Sequence, residues 1–251
     1  MLALASGWLG PAGRADLAKA AEAARGLGFS RVHATRPPKD AATVRPVLDR
    51  LGLSLEGIST APVKSLAEVD GALARAAKAA ADLRESLVVL DVGGLKVGPK
   101  ETPEAAVLAL ARDLHGAGST FSGLSIAVRG AARGDGLLGM VEVEWLLDAL
   151  KGKAVGLWLD PARATALQRA KRPGNALDWA DRLAKRTMGV ALHGLGPAGE
   201  GHALPEDDGA DWGTLRGLLS ARVPRVLDVG PAVPAGEVAD ARRKFEEFFH
   251  W

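Results

Sequence analysis

Reactive side chains are sparse in this chain and fall at regular places. It contains no cysteine and no tyrosine, which excludes disulfides, thiolate metal sites, iron–sulfur clusters, cysteine nucleophiles and phenolic acid–base chemistry. Chemistry must come from His, Asp, Glu, Lys, Arg, Ser or Thr. The informative ones close short apolar runs: Ser6 and Trp8, His33 and Arg36, Glu56 and Ser59, Asp91, Arg129, Asp160 and Arg163, His193, and Asp228. Histidines and carboxylates gathered in one pocket serve as acids, bases or cation ligands, while arginines hold phosphate or carboxylate groups. Any one such residue could instead cap a helix or sit in a buried ion pair. Eight runs that all end this way point to a shared site.

The elements that must position these residues alternate along the chain. Runs rich in Val, Leu and Ile at residues 2–6, 31–35, 53–59, 87–93, 124–130, 154–160, 188–194 and 225–230 read as strands. Alanine-rich segments with charges at helical spacing, at 14–27, 40–51, 66–86, 103–117, 141–151, 164–184, 211–221 and 236–249, read as helices. Gly28 and Gly52 stand where a left-handed residue ends a helix, Asp40 where a side chain caps one, and Thr102-Pro103 where a helix begins. Strands apolar on both faces and joined by helices make a covered parallel sheet. Eight such units in 251 residues match a (β/α)8 TIM barrel, expected as one domain over residues 1–251. The rival, an open doubly wound sheet, usually carries G-x-G-x-x-G after its first strand, and GWLGPAGRAD lacks that spacing. In a barrel the reacting groups project from the C-terminal strand ends, where the polar residues above fall.

Composition narrows the partners. The chain is 47% hydrophobic and 25% charged, with 32 basic against 30 acidic residues and a formal charge of +2. That balance speaks against nucleic acid as a partner. No apolar stretch reaches the roughly 18 to 20 residues that span a bilayer, and the N-terminus lacks a basic leader, so no membrane is expected and the cytoplasm is the expected compartment. Oligomeric state is not legible. GPAGEGHALPEDDG reads equally as a surface loop or as a lid over the barrel mouth.

Several motifs together resemble one family. LGFSRVHATR is similar to the second-strand region of the sugar phosphate isomerase/epimerase group of xylose-isomerase-like barrels, with His33 at a position where that family often has glutamate. VGLWLDPARA resembles the family's sixth-strand motif, MGVALHG its seventh strand, and PEDDGADWGTL its Gly-x-x-Asp-Trp approach to the seventh helix. The resemblance runs in order along essentially the whole chain. It implies a site holding one divalent cation, Mn²⁺, Mg²⁺ or Zn²⁺, between a strand-five glutamate, a strand-six aspartate, a strand-seven histidine and a strand-eight glutamate. There the cation polarises a sugar carbonyl or hydroxyl while the glutamates move protons.

Carried over position by position, Asp160 and His193 match, Asp228 shortens the last glutamate, Arg129 replaces the first, and Arg163 replaces a histidine three residues after the aspartate. A guanidinium offers no lone pair and repels a cation. No metal or other cofactor is therefore expected, with Arg129 as a fixed cation between Asp160 and Asp228. A slip in register would not restore the ligand, because neither Val128 nor Gly130 is one. Three functions follow. The first is a divergent isomerase/epimerase-like barrel binding a small anionic sugar or sugar phosphate through Arg36, Arg129 and Arg163, with His33, Asp91, Asp160, His193 and Asp228 as candidate catalytic groups. The second is an inactive barrel that retains a ligand or partner surface. The third is an intact metal-dependent isomerase with Asp91, Asp160, His193 and Asp228 as unconventional ligands.

Overall fold

A computed structural model describes residues 2–196, 201–205 and 211–248. Eight strands form the barrel: β1 (Leu2–Ala5), β2 (Arg31–Ala34), β3 (Ser54–Ser59), β4 (Leu87–Asp91), β5 (Ser125–Arg129), β6 (Val155–Leu159), β7 (Thr187–Leu192) and β8 (Arg225–Leu227). Every neighbouring pair is parallel, and β8 pairs with both β7 and β1, so the sheet closes and has no free edge. The expected (β/α)8 TIM barrel is the observed fold. A short antiparallel ribbon, Gly194–Leu195 with Gly201–Ala203, follows β7. No helix among the described residues is long and apolar enough to cross a membrane.

The helices cover the barrel with alanine-rich faces. The helix Val69–Leu83 buries Val69, Ala72, Leu73, Ala76, Ala80 and Leu83, the i, i+3, i+4 stripe that faces a sheet. Small side chains let it lie close. Inside, the barrel is filled by Ala3, Ala5, Val89, Ala127, Ala191 and Val226 around one indole, Trp158. The ring fits because Gly189, on the neighbouring strand, has no side chain. A Cβ there would fall 2.1 Å from Trp158 Cζ3.

Helix boundaries depart from expectation where local chemistry intervenes. The segment expected at 164–184 is two helices, Pro161–Arg169 and Ala176–Leu183. Pro173 and Gly174 part them: Gly174 takes φ +83°, and Asn175 opens the second helix with a capping box to Asp178. The first expected helix likewise divides into Gly10–Ala15 and Leu17–Gly26, where Asp16 caps the second piece. Asp40 makes no side-chain cap, contrary to expectation, although Thr102 caps its helix and Gly28 and Gly52 are left-handed as expected. Most of the loop GPAGEGHALPEDDG, together with His250, lies outside the described residues.

The packing around Trp158 makes a direct prediction. Gly189→Ala drives a methyl group into a buried indole, so it should destabilise by roughly 1–3 kcal/mol, toward the upper end because the added Cβ would fall 2.1 Å from the ring. A lowered denaturant midpoint with unchanged slope checks it.

Candidate functional site at the C-terminal mouth

Each barrel strand ends in a group directed to the same end. Arg129 closes β5, Asp91 closes β4, and the two are register partners across the sheet. Asp160, His193 and Asp228 follow β6, β7 and β8 directly. All are buried. The centre of the arrangement is the guanidinium of Arg129. Its Nη2 donates to Asp160 Oδ2 at 2.6 Å and to Asp228 Oδ2 at 2.9 Å, lies 3.3 Å from His193 Nε2, and its Nε donates to Asp160 Oδ2 at 2.8 Å. One nitrogen thus meets a side chain from each of three strand ends.

A second guanidinium extends the network. Arg163 grips Asp91 with two parallel hydrogen bonds of 2.9 and 2.8 Å, donates to the Gly130 carbonyl at 2.8 Å, and sets its Nε 3.3 Å from Asp160. This fork geometry is peculiar to arginine. Asp160 also caps the helix that carries Arg163, accepting the Arg163 N–H at 3.0 Å on Oδ1, so one carboxylate starts a helix and anchors the site. The His202 backbone N–H donates to His193 Nδ1 at 3.0 Å, the Gly194 carbonyl lies 3.2 Å from the same nitrogen, and His193 Nε2 stands 3.1 Å from Asp160 Oδ1. His202 stacks on His193 with ring centroids 4.8 Å apart and holds the Asp228 carbonyl through Nδ1 at 2.8 Å.

Burial opposes ionisation of Asp160, Asp228 and Asp91, yet all three stay ionised. The His193 ring, Arg129 and Arg163 hold Asp160 well below the usual carboxylate range; His202 and Arg129 do the same for Asp228. Arg163, and then Arg129, lower Asp91. Burial likewise opposes the charge on Arg129, but Asp160, Asp228 and Asp91 outweigh it and keep the guanidinium protonated. His202 is raised by Asp228 against its own desolvation. His33 behaves oppositely: burial pushes its pKa down to about 4, only partly offset by Asp228.

A pocket of about 220 Å³ opens above this network. Among the expected site residues, His33, Arg36, Asp91, Arg129, Arg163 and Asp228 line it, whereas Asp160 and His193 do not. Ser59, Thr60, Trp158 and His202 complete its wall. His202 was not legible as a site residue, since a lone histidine in a Gly/Pro loop carries no periodic signal. Among the described residues, Arg36 makes no ion pair, and the Nη1 of Arg129 makes no hydrogen bond.

The residues present do not fit the cation that the resemblance implies. Both oxygens of Asp160 and both nitrogens of His193 are engaged, and Arg129 Nη2 stands among the ligand atoms. Ligand atoms of His193, His202 and Asp228 do lie within 4.8 Å of one another. The guanidinium, however, touches two of those three residues. A divalent ion about 4 Å from it meets a repulsion of about 8 kcal/mol at an effective dielectric constant of about 20.

No protein-family model matches the chain, and no curated protein does. Solved structures do match. The AP endonuclease, family 2, of Brucella melitensis superposes with a TM-score of 0.77 at 13% identity, covering 98% of each chain. A sugar phosphate isomerase/epimerase of Parabacteroides distasonis gives 0.70 at 13% identity over 97% of this chain and 92% of that one. The D-allulose 3-epimerase of Methylomonas sp., in complex with D-allulose, gives 0.74 at 12% over 99% and 96%. The chain thus has the (β/α)8 barrel fold of these endonuclease, isomerase/epimerase and epimerase structures.

Removing the central cation should expose what it holds. Arg129→Met leaves Asp160 and Asp228 buried without their partner and should cost roughly 3–5 kcal/mol near neutral pH. In the unmodified chain the depressed carboxylates contribute stability that is present above their unfolded pKa of about 3.9 and lost as pH falls through the lower folded values. The deficit of Arg129→Met should therefore shrink as pH drops below about 4, which denaturant melts over a pH series would record.

Proposed function

We propose that this barrel binds a small sugar, or a sugar carrying one anionic group, at its C-terminal mouth, with Arg129 in place of the divalent cation. The observation that carries this reading is the convergence of Asp160, His193 and Asp228 on a single guanidinium nitrogen. The charge that would polarise a substrate in a metal enzyme is here fixed to the chain and already neutralised. Asp160 and Asp228, held well below the carboxylate range, do not collect a proton near neutrality. Proton exchange by two free carboxylates is therefore not supported, and sugar binding is.

The pocket suits such a ligand. It offers N–H groups of Arg129, the hydroxyls of Ser59 and Thr60, and the carboxylate of Asp91, a mixture that meets hydroxyl groups as donors and as acceptors. Asp91, Asp160 and Asp228 against Arg129 and Arg163 leave one negative charge, which Arg36 at the rim cancels. A neutral sugar is accommodated, and an anionic group finds its partner in Arg36 and not in the two arginines already paired with aspartates. The bound D-allulose of the Methylomonas neighbour supports a sugar as the ligand class.

Calorimetric titration with D-allulose, D-fructose and D-fructose 6-phosphate in the presence of a chelator tests the proposal. At least one sugar should bind, unaffected by the chelator. Arg36→Ala should weaken the phosphorylated ligand about tenfold, or about 1.4 kcal/mol, and leave the unphosphorylated ones unchanged. No heat from any of the three would contradict it.

A further inference from the structure

We propose that Ser59 and His33 are a nucleophile–base pair for acyl transfer, and that the pocket hydrolyses carboxylic esters of small polyhydroxylated alcohols. Neither side chain takes part in the arginine–aspartate network. Ser59 closes β3, His33 lies on β2, both line the pocket, and Ser59 Oγ is 2.8 Å from His33 Nε2.

The backbone around the pair is arranged to orient the imidazole. Pairing of β2 with β3 runs Val32 to Leu55 but Ala34 to Ile58, so Glu56 and Gly57 together oppose His33. Such an extra residue re-aims what faces it. Here it brings the Glu56 carbonyl 3.5 Å from His33 Nδ1. Gly57 adopts φ +121°, and a Cβ there would stand 3.4 Å from both Cε1 and Nδ1 of the ring and 3.3 Å from the Leu87 carbonyl. A residue without a side chain is needed on both counts. Trp158 backs the ring, with centroids 5.1 Å apart and planes inclined by 29°.

This geometry decides which nitrogen carries the proton. A carbonyl only accepts, so Nδ1 bears the hydrogen and Nε2 presents its lone pair to the Ser59 hydroxyl. A buried imidazole with a pKa near 4 is in that acceptor form throughout the neutral range. The arrangement is nucleophile, base and orienting third group, with a backbone carbonyl in the third role.

The reaction balances with water as co-reactant. Ser59 Oγ attacks the ester carbonyl while its proton passes to His33 Nε2; the bond between the acyl carbon and the alcohol oxygen then breaks, and His33 returns the proton to the departing alkoxide. Water attacks the resulting acyl-serine through the same base, releasing the acid and restoring Ser59. Thr60 Oγ1 accepts the Asp91 N–H at 3.0 Å, so its own hydrogen remains available. With the Nη1 of Arg129, which lines the same pocket, it offers donors to the oxyanion. Only the alcohol part of the substrate rests on the sugar reading above.

The test uses the full chain with a fluorophosphonate probe and with p-nitrophenyl acetate. Mass spectrometry should find one adduct per chain, on Ser59, and none on Ser59→Ala. His33→Gln should slow labelling at least about 100-fold. Because His33 is buried, Gly57→Ala is a second variant: it keeps both reacting side chains but presses on the ring, and should slow labelling and ester hydrolysis at least tenfold. Circular dichroism confirms that each variant is folded. A folded chain that takes no label on Ser59, or labels equally fast in both His33→Gln and Gly57→Ala, overturns the proposal. Label on Ser59 in a chain that binds no sugar would retain the pair and remove the polyhydroxylated alcohol; sugar binding without the label would do the reverse.

Discussion

Three aspartates converge at the mouth of a closed barrel, and in a buried space they would repel one another and take up protons. Arg129 prevents this. Its guanidinium joins Asp160 to Asp228, and Arg163 joins Asp91 to the same group. Much else follows from that neutralisation. Asp160 remains ionised and can cap the helix behind β6; Asp228 remains ionised and holds His202 against His193. The floor of the pocket is therefore a rigid lattice of ion pairs in which one missing charge strands the others.

The same lattice limits what the pocket can do. A metal centre concentrates positive charge at a vacant coordination position, where substrate oxygen enters. A guanidinium holding two carboxylates spreads its charge and has little left to offer, apart from the Nη1 side of Arg129. Polarisation of a carbonyl by such a group is correspondingly weak, whereas its free N–H groups still donate hydrogen bonds. The pair of His33 and Ser59, in the same pocket lining, carries no formal charge. Ionic structure and uncharged hydrogen-bonding chemistry thus meet in one small pocket.

The barrel was legible because strand runs and helical stripes have different periods and alternate eight times. The end of the barrel on which the polar residues lie was legible for the same reason, since each follows its apolar run directly. Arg129 stood out by type, as a cation where a ligand was expected, and its bridge to Asp160 and Asp228 is what charge balance requires. Other features depend on distances that no local pattern records. His202 reaches the pocket through a ribbon formed by residues outside the barrel strands. Asp160 and His193 contact Arg129 but do not line the pocket, which no local pattern announces. The pairing of His33 with Ser59 depends on a one-residue shift between β2 and β3, which Gly57 permits but does not announce. The gap within 164–184 was written in Pro173-Gly174, a breaker inside an otherwise helical stripe.

The replacement of a cation by Arg129 is tested most directly by titrating Mn²⁺ and Zn²⁺ into the unmodified chain and into Arg129→Glu, followed by calorimetry and elemental analysis of the recovered protein. The unmodified chain should retain no stoichiometric metal. Arg129→Glu, which sets a fourth ligand beside Asp160, His193 and Asp228, should gain measurable binding of at least one of the two ions. One metal held tightly per unmodified chain, and lost in Asp160→Asn, would contradict the replacement.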